Sequence, residues 1–169
     1  ISATEHISEG SEGILLESVL EGMAEYFSED LKEKVVRGLK VNAEKCVWNG
    51  GVLPIGYIVD EQRHLQHNPE TAPLVLEAFR MYDEGQTAAE LISYLKSKGI
   101  TTNKGTAINY GTIQRMLQNR RYIGEYSFQD IVIPDGIPAI VPRDLFDRVQ
   151  ERLAKNRKAP ARAKAVENY

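Results

Sequence analysis

The chain has 169 residues, 42% of them apolar, enough for one ordinary core or a small domain with an appendage. It has no apolar run of about 18 residues, so neither a membrane span nor a secretory leader is expected; its single cysteine, Cys46, excludes an internal disulfide or a zinc site of paired thiolates and fits a reducing, cytoplasmic setting. A net charge of −3 and a pI near 5.7 argue mildly against a nucleic-acid partner. The distribution of charge argues the other way. Residues 1–33 hold nine acids against one base, whereas residues 96–121 hold six bases and no acid. Separated blocks of opposite sign imply separate surfaces with separate partners. The chain opens on Ile1 rather than Met, which reads as an excised segment.

Residues 1–11 read as frayed. From Glu12 to Cys46 apolar residues recur three or four apart, at Leu16, Leu20, Met23, Phe27, Leu31, Val35 and Leu39, which predicts one long amphipathic helix. About 35 residues at ~1.5 Å each give a rod of about 50 Å, long for a globular helix. The rod is expected either to project and pair or to pack on its own core, and Gly38 is a candidate bend. Trp48-Asn49-Gly50-Gly51 breaks it. Val52–Asp60 reads as a strand, with Leu65-Gln66-His67 returning beside it as a small hairpin.

Asn68-Pro69-Glu70 has the pattern of a helix start, with Ala72, Val75, Phe79 and Tyr82 on one face and Gly85 as the stop. Thr87-Ala88-Ala89-Glu90 is a capping box for a second helix that buries Leu91, Ile92 and Leu95, and Gly99 closes it as a left-handed cap with Ile100 packing behind. After the polar loop Thr101–Gly105, Asn109–Thr112 opens a short helix. This helix buries Ile113, Met116 and Leu117 and leaves Gln114, Arg115 and Gln118 free. Tyr122–Tyr126 and Ile131–Ile133 read as strands, Pro134-Asp135-Gly136 as a turn, and 143–156 as a last helix burying Leu145, Phe146, Val149 and Leu153. The basic tail reads as a linker.

A capped helix, a loop, a second helix with free Gln and Arg, and then a strand pair make the outline of a helix-turn-helix with a β wing. The major groove admits one helix, whose Arg and Gln can read base edges, and flanking bases neutralise phosphates. A solvated basic face is the alternative meaning of the same charges. No catalytic set is visible. His64 and His67 stand near Asp60 and Glu61 without a metal-ligand spacing, Cys46 has no histidine near it in sequence, and Gly50-Gly51 lacks the Lys-Ser/Thr of a phosphate loop. No cofactor and no metal are expected.

The order of motifs resembles large serine recombinases of the resolvase/invertase superfamily. Ala24–Ser28 through Val36–Leu39, then Gly50–Tyr57, is similar to the junction where a long helix leaves the catalytic domain and enters the recombinase domain. Asn68–Ala72 with Phe79 and Tyr82, Leu91 to Thr101, Gly105, Ile113 to Asn119, Tyr122-Ile123-Gly124, and Ile137–Val141 with Phe146, Val149 and Gln150 continue the likeness from Gly13 to about Arg157. Phe27-Ser28 stands where many members carry Glu-Arg, which looks like the conjugative-transposon branch.

The resemblance implies an α+β chain: a long linker and dimerisation helix over 1–47, a helix-turn-helix or winged-helix-like domain with small hairpins and a C-terminal helix over 48–157, and a basic linker over 158–169. It implies the non-catalytic, DNA-binding part of a site-specific recombinase. Its partners would be a double-stranded attachment half-site and a second copy of the chain. The nucleophilic serine lies upstream of this segment, and a zinc ribbon commonly follows it. Carried onto this sequence, it implies base contacts from Gln114 and Arg115. Phosphate contacts fall to Lys104, Tyr110, Thr112, Arg120 and Arg121, and Arg37, Lys40 and Lys45 follow the backbone towards the crossover. A free-standing winged-helix regulator and a protein-interaction module using the acidic helix are the competing readings.

Overall fold

The computed structural model describes residues 11–102 and 105–158. The frayed start, Lys104 and the basic tail beyond residue 158 therefore lie outside the described residues. The chain divides into two compact units, Ile1–Val41 and Asn42–Tyr169. Among the described residues, five α-helices and two antiparallel hairpins make an α+β fold.

The first unit is helix α1 (Ser11–Glu44) up to Val41. The helix runs unbroken through Gly22 and Gly38. Side-chain pairs one turn apart support it: Lys34 Nζ lies 2.7 Å from Asp30 Oδ2, and Lys32 Nζ 3.3 Å from Glu29 Oε2. Within this unit its apolar stripe is uncovered. Leu16, Leu20, Met23, Phe27, Leu31 and Val35 are all exposed, Phe27 to 59% and Leu31 to 62%.

In the second unit the last turn of α1 buries Ala43 completely, and Cys46 ends the helix in a left-handed conformation (φ 56°). Strands β1 (Tyr57–Val59) and β2 (Leu65–His67) pair with Tyr57 opposite His67. The strand is shorter than the Val52–Asp60 expected. Pro54 and Gly56 interrupt it, and Gly56, at φ 95°, sits so close to Ile140 and Val75 that a Cβ would meet Ile140 Cδ1 at 2.9 Å.

Helix α2 (Ala72–Glu84) starts later than its Asn68-Pro69 signal suggests. Asn68 Oδ1 accepts from Glu70 N, and Asn68 O from Ala72 N, so the asparagine shapes a turn before the helix rather than capping it. Gly85, at φ 115°, closes α2 as expected. Helix α3 (Ala88–Ser97) begins with a complete capping box between Thr87 and Glu90. It ends as the sequence requires. Gly99 N donates to Lys96 O and Ile100 N to Leu95 O, the paired bonds of a Schellman motif.

Helix α4 (Tyr110–Gln118) is followed by a 3-10 turn, Arg120–Ile123, where a strand was expected. Asn119 Oδ1 accepts from Arg121 N and starts that turn, and Gly124 (φ 93°) ends it. Strands β3 (Tyr126–Phe128) and β4 (Ile131–Ile133) then pair, and α5 (Arg143–Lys158) closes the fold.

The core lies where α2, α3, α4 and α5 pack together. Phe79, fully buried, sits between Tyr122 (ring centroids 5.6 Å apart, edge-on) and Phe146 (6.1 Å, stacked). Three tyrosines fasten the irregular segments to this core through their hydroxyls. Tyr122 donates to Ile55 O (2.9 Å) and Tyr126 to Val47 O (2.7 Å), while Tyr57 shares its proton between Arg121 O (2.9 Å) and Pro138 O (2.8 Å). A buried phenol needs such a partner, because an unmade bond costs about 1–3 kcal/mol. Burial pushes the pKa of all three upward and keeps them protonated.

Candidate functional site

Helix α4 is the element built to present side chains. Asn109, in extended conformation, accepts from Thr112 N (2.9 Å) and from the Thr112 hydroxyl (3.1 Å), which fixes where the helix begins. Ile113, Met116 and Leu117 are buried, so the 3.6-residue period turns Gln114, Arg115 and Gln118 outward. Tyr110, in the first turn, is 63% exposed. Arg115 donates from Nε to Gly111 O at 3.1 Å, which aligns its side chain along the helix surface.

Helices α3 and α4 form the expected pair, but residues 98–109 join them, far more than the ~3–4 residues of a tight helix-turn-helix. That connection has its own structure. Thr101 and Ala107 form an isolated bridge, Thr102 N donates to Thr106 O, and the two threonine hydroxyls lie 2.6 Å apart. Between this loop, α4 and the Val52–Ile55 segment runs an open cleft of about 420 Å³. Asn109, Thr112, Arg115, Asn119 and Arg121 line it.

The structure thus brings Thr112, Arg115 and Arg121 to one cleft, and Gln114 shares the exposed face of α4 with Arg115. The remaining candidates are placed differently. Arg120 is exposed but bonded to Glu125, Nε to Oε2 at 2.7 Å. Arg121 is half-buried: it donates from Nη2 to Ser127 O (3.3 Å) and stacks on Trp48, its Cζ 5.2 Å from the ring centre. Desolvation lowers its pKa from the usual guanidinium value. Lys45 is exposed at the start of the second unit. Arg37, exposed, and Lys40, half-buried, lie on the first unit. Lys104 lies outside the described residues.

Sequence reasoning missed Thr102, Thr106, Asn119 and the Val52–Ile55 segment as parts of this cleft. Asn109 was legible as the opening of α4, whereas the cleft joins segments about sixty residues apart and leaves no local signal.

Elsewhere, Asp60 is held below the usual carboxylate range by His64 N, which donates to its Oδ1 (2.8 Å). His64 Nε2 lies 3.3 Å from Lys45 O. Among the described residues no three metal-ligating side chains gather, and no helix is long and apolar enough to cross a membrane. Burial raises the Cys46 thiol pKa, the opposite of what activates a nucleophile.

The Recombinase family model matches residues 69–156, just over half of the chain. No curated protein matches. Two solved structures are similar in fold. One is an LSR–DNA complex, at 23% identity and a TM-score of 0.62 over 75% of this chain and 39% of that one. The other comes from work on the sequence requirements of the Listeria innocua prophage attP site, at 23% identity and a TM-score of 0.61 over 75% of this chain and 54% of that one. The chain therefore spans about two-fifths and half of the chains it resembles. With the family model covering α2 to α5, and the motif order of the sequence agreeing with it, the chain belongs to the Recombinase family, the C-terminal region of large serine recombinases.

Proposed function

We propose that this chain is the DNA-binding portion of a site-specific serine recombinase and recognises an attachment half-site of a mobile element, with α4 in the major groove. The observation that carries this reading is the single outward face of α4. Gln114, Arg115 and Gln118 stand opposite a buried face of Ile113, Met116 and Leu117, in a stretch (96–121) that holds six bases and no acid. A nine-residue helix is about 13 Å long, matched to a groove ~12 Å wide. Because Gly111 O takes the Arg115 Nε, the terminal guanidinium nitrogens are the pair that reaches guanine O6 and N7. Gln114 offers both a donor and an acceptor to an adenine edge.

Phosphate contacts come from around that helix. Tyr110 and Lys45 are exposed and free to swing, and Lys104 belongs to the same loop in sequence. Arg120 joins them after leaving Glu125. The Thr112 hydroxyl is engaged in the cap, so a phosphate contact from it competes with Asn109. Arg37 and Lys40 track the backbone towards the crossover. The uncovered stripe of α1 pairs with a second copy and with the catalytic domain that supplies the serine, and this chain itself performs no chemistry. Phe27-Ser28 favours the conjugative-transposon branch, and the setting is the cytoplasm.

The test is a pair of substitutions titrated on an attachment-site duplex and on a random one. Arg115→Ala is expected to cost about 1–3 kcal/mol on the site and far less on random DNA, whereas Lys45→Ala weakens both alike. Equal losses on both duplexes for Arg115→Ala would remove the base-reading role.

A further inference from the structure

Among the described residues, Arg121 differs from the other bases near α4 in how it is held. Its side chain is fixed on two sides, by the Trp48 ring 5.2 Å from Cζ and by Ser127 O 3.3 Å from Nη2. Its Nε is shut away from solvent without a hydrogen-bond partner. Its backbone is fixed as well: Arg121 N donates to Asn119 Oδ1 (3.2 Å), and Arg121 O accepts from the Tyr57 hydroxyl (2.9 Å).

The groups it touches are themselves anchored. Trp48 N donates to Arg63 O (2.6 Å), Trp48 O accepts from Arg63 Nη2 (2.9 Å), and the preceding Val47 O accepts from Tyr126 (2.7 Å). Arg121 therefore joins three parts of the second unit: the segment leaving α1, strand β3, and the turn that follows α4. A phosphate ligand needs the reverse, a guanidinium that is hydrated and free to reorient, as Tyr110 and Lys45 are free at the surface.

We infer that Arg121 is a positioning residue, whose guanidinium, stacked on Trp48 and bonded to Ser127, sets the Val47–Trp48 segment and β3 against the base of α4. This rests on the proposed DNA-binding role of α4. Arginine is needed because only a planar guanidinium both stacks on a ring face and donates in its own plane. Lysine keeps the charge and loses the stack.

The test uses the whole 169-residue chain and a random 30-bp duplex (a design choice of about three helical turns), by fluorescence anisotropy across a salt series. The wild type is compared with Arg121→Lys, Arg121→Ala, Trp48→Leu and the double variant Trp48→Leu/Arg121→Ala, at a temperature where circular dichroism shows each fully folded. The expected result is a Kd on the order of tenfold weaker for each single variant, Arg121→Lys included. The double variant should be no weaker than either parent, because both break one contact. The slope of log K against log salt should stay at the wild-type value.

Two results from the variants overturn the inference. In the first, Arg121→Lys binds like wild type while Arg121→Ala lowers the slope by about 0.9, which is the signature of a lost phosphate contact. Alternatively, all folded variants bind like wild type while their melting temperatures fall, which leaves Arg121 a purely stabilising role. Wild-type protein that binds no duplex overturns the DNA-binding role itself, and this inference with it.

Discussion

Tyr122 allows the contribution of a hydroxyl to be separated from that of a ring. The side chain is 1% exposed, stacks with Tyr57 (centroids 5.9 Å apart) and meets Phe79 edge-on at 5.6 Å. Its hydroxyl donates to Ile55 O at 2.9 Å. Tyr122→Phe keeps the ring and both ring pairs and deletes one hydrogen bond. A buried carbonyl left without its donor costs about 1–3 kcal/mol. Ile55 lines the open cleft, so water reaches its carbonyl after the substitution, and the loss falls at the low end, about 1 kcal/mol. Tyr122→Ala removes the ring as well and leaves a cavity beside Phe79, for a loss of about 3–5 kcal/mol. Urea unfolding followed by circular dichroism measures both. With a slope of about 1–3 kcal/mol/M, the Phe variant shifts the midpoint by roughly 0.5 M and the Ala variant by several times more, at unchanged slope. A Phe variant as unstable as the Ala variant, or one indistinguishable from wild type, would refute the division between ring and hydroxyl.

Three further outcomes are expected. Thr87→Ala breaks the capping box at the start of α3 and should lower stability by about 1 kcal/mol in the same urea assay, while Thr87→Ser should leave it near wild type. Glu125→Gln frees Arg120 from its 2.7 Å ion pair and removes an acid beside α4, so duplex affinity should rise roughly three- to tenfold and the salt slope steepen by up to about 0.9; unchanged affinity would show that Arg120 makes no phosphate contact. Stability should fall at both ends of the pH range. The carboxylates of Asp60, Glu90 and Asp144 are depressed chiefly by hydrogen bonds from His64 N, Thr87 N and the Arg148 side chain. Their contribution is present above the unfolded value of about 4 and is lost as pH falls through the folded values. Tyr57, Tyr122 and Tyr126 are raised by burial, so their contribution is complete below the unfolded value of about 10 and is lost as pH rises beyond it. Urea midpoints from acid to alkali check both limbs, and a midpoint that stays level above about pH 10 would contradict the buried tyrosines.

Features written in neighbouring residues were legible in the sequence. The Thr87–Glu90 box, the Gly99-Ile100 cap and the buried face of α4 each need only a few consecutive side chains, and each is present as expected. The misreadings arose where a local signal has two physical outcomes. Asn68-Pro69 fits a helix start and a turn equally well, and Asn68 Oδ1 on Glu70 N decides for the turn. Tyr122-Ile123 has the composition of a strand, but Asn119 caps Arg121 N and the aromatic ring enters the helical core, so the segment winds into a 3-10 turn. The setting of Arg121 was out of reach from sequence, because the ring it stacks on lies more than seventy positions away, at Trp48.

The proposed role makes α4 and its surroundings a DNA-binding surface on a chain whose net charge is −3. Its most direct test is a fluorescence-anisotropy titration of the chain with a random ~30-bp duplex over a salt series. Binding at low salt is expected, weakening linearly on a log–log plot with a slope of several units from a multi-phosphate footprint. No binding at low salt with tens of micromolar protein, about the range of ordinary non-specific binding, would contradict it and leave the basic stretch as a solvated face.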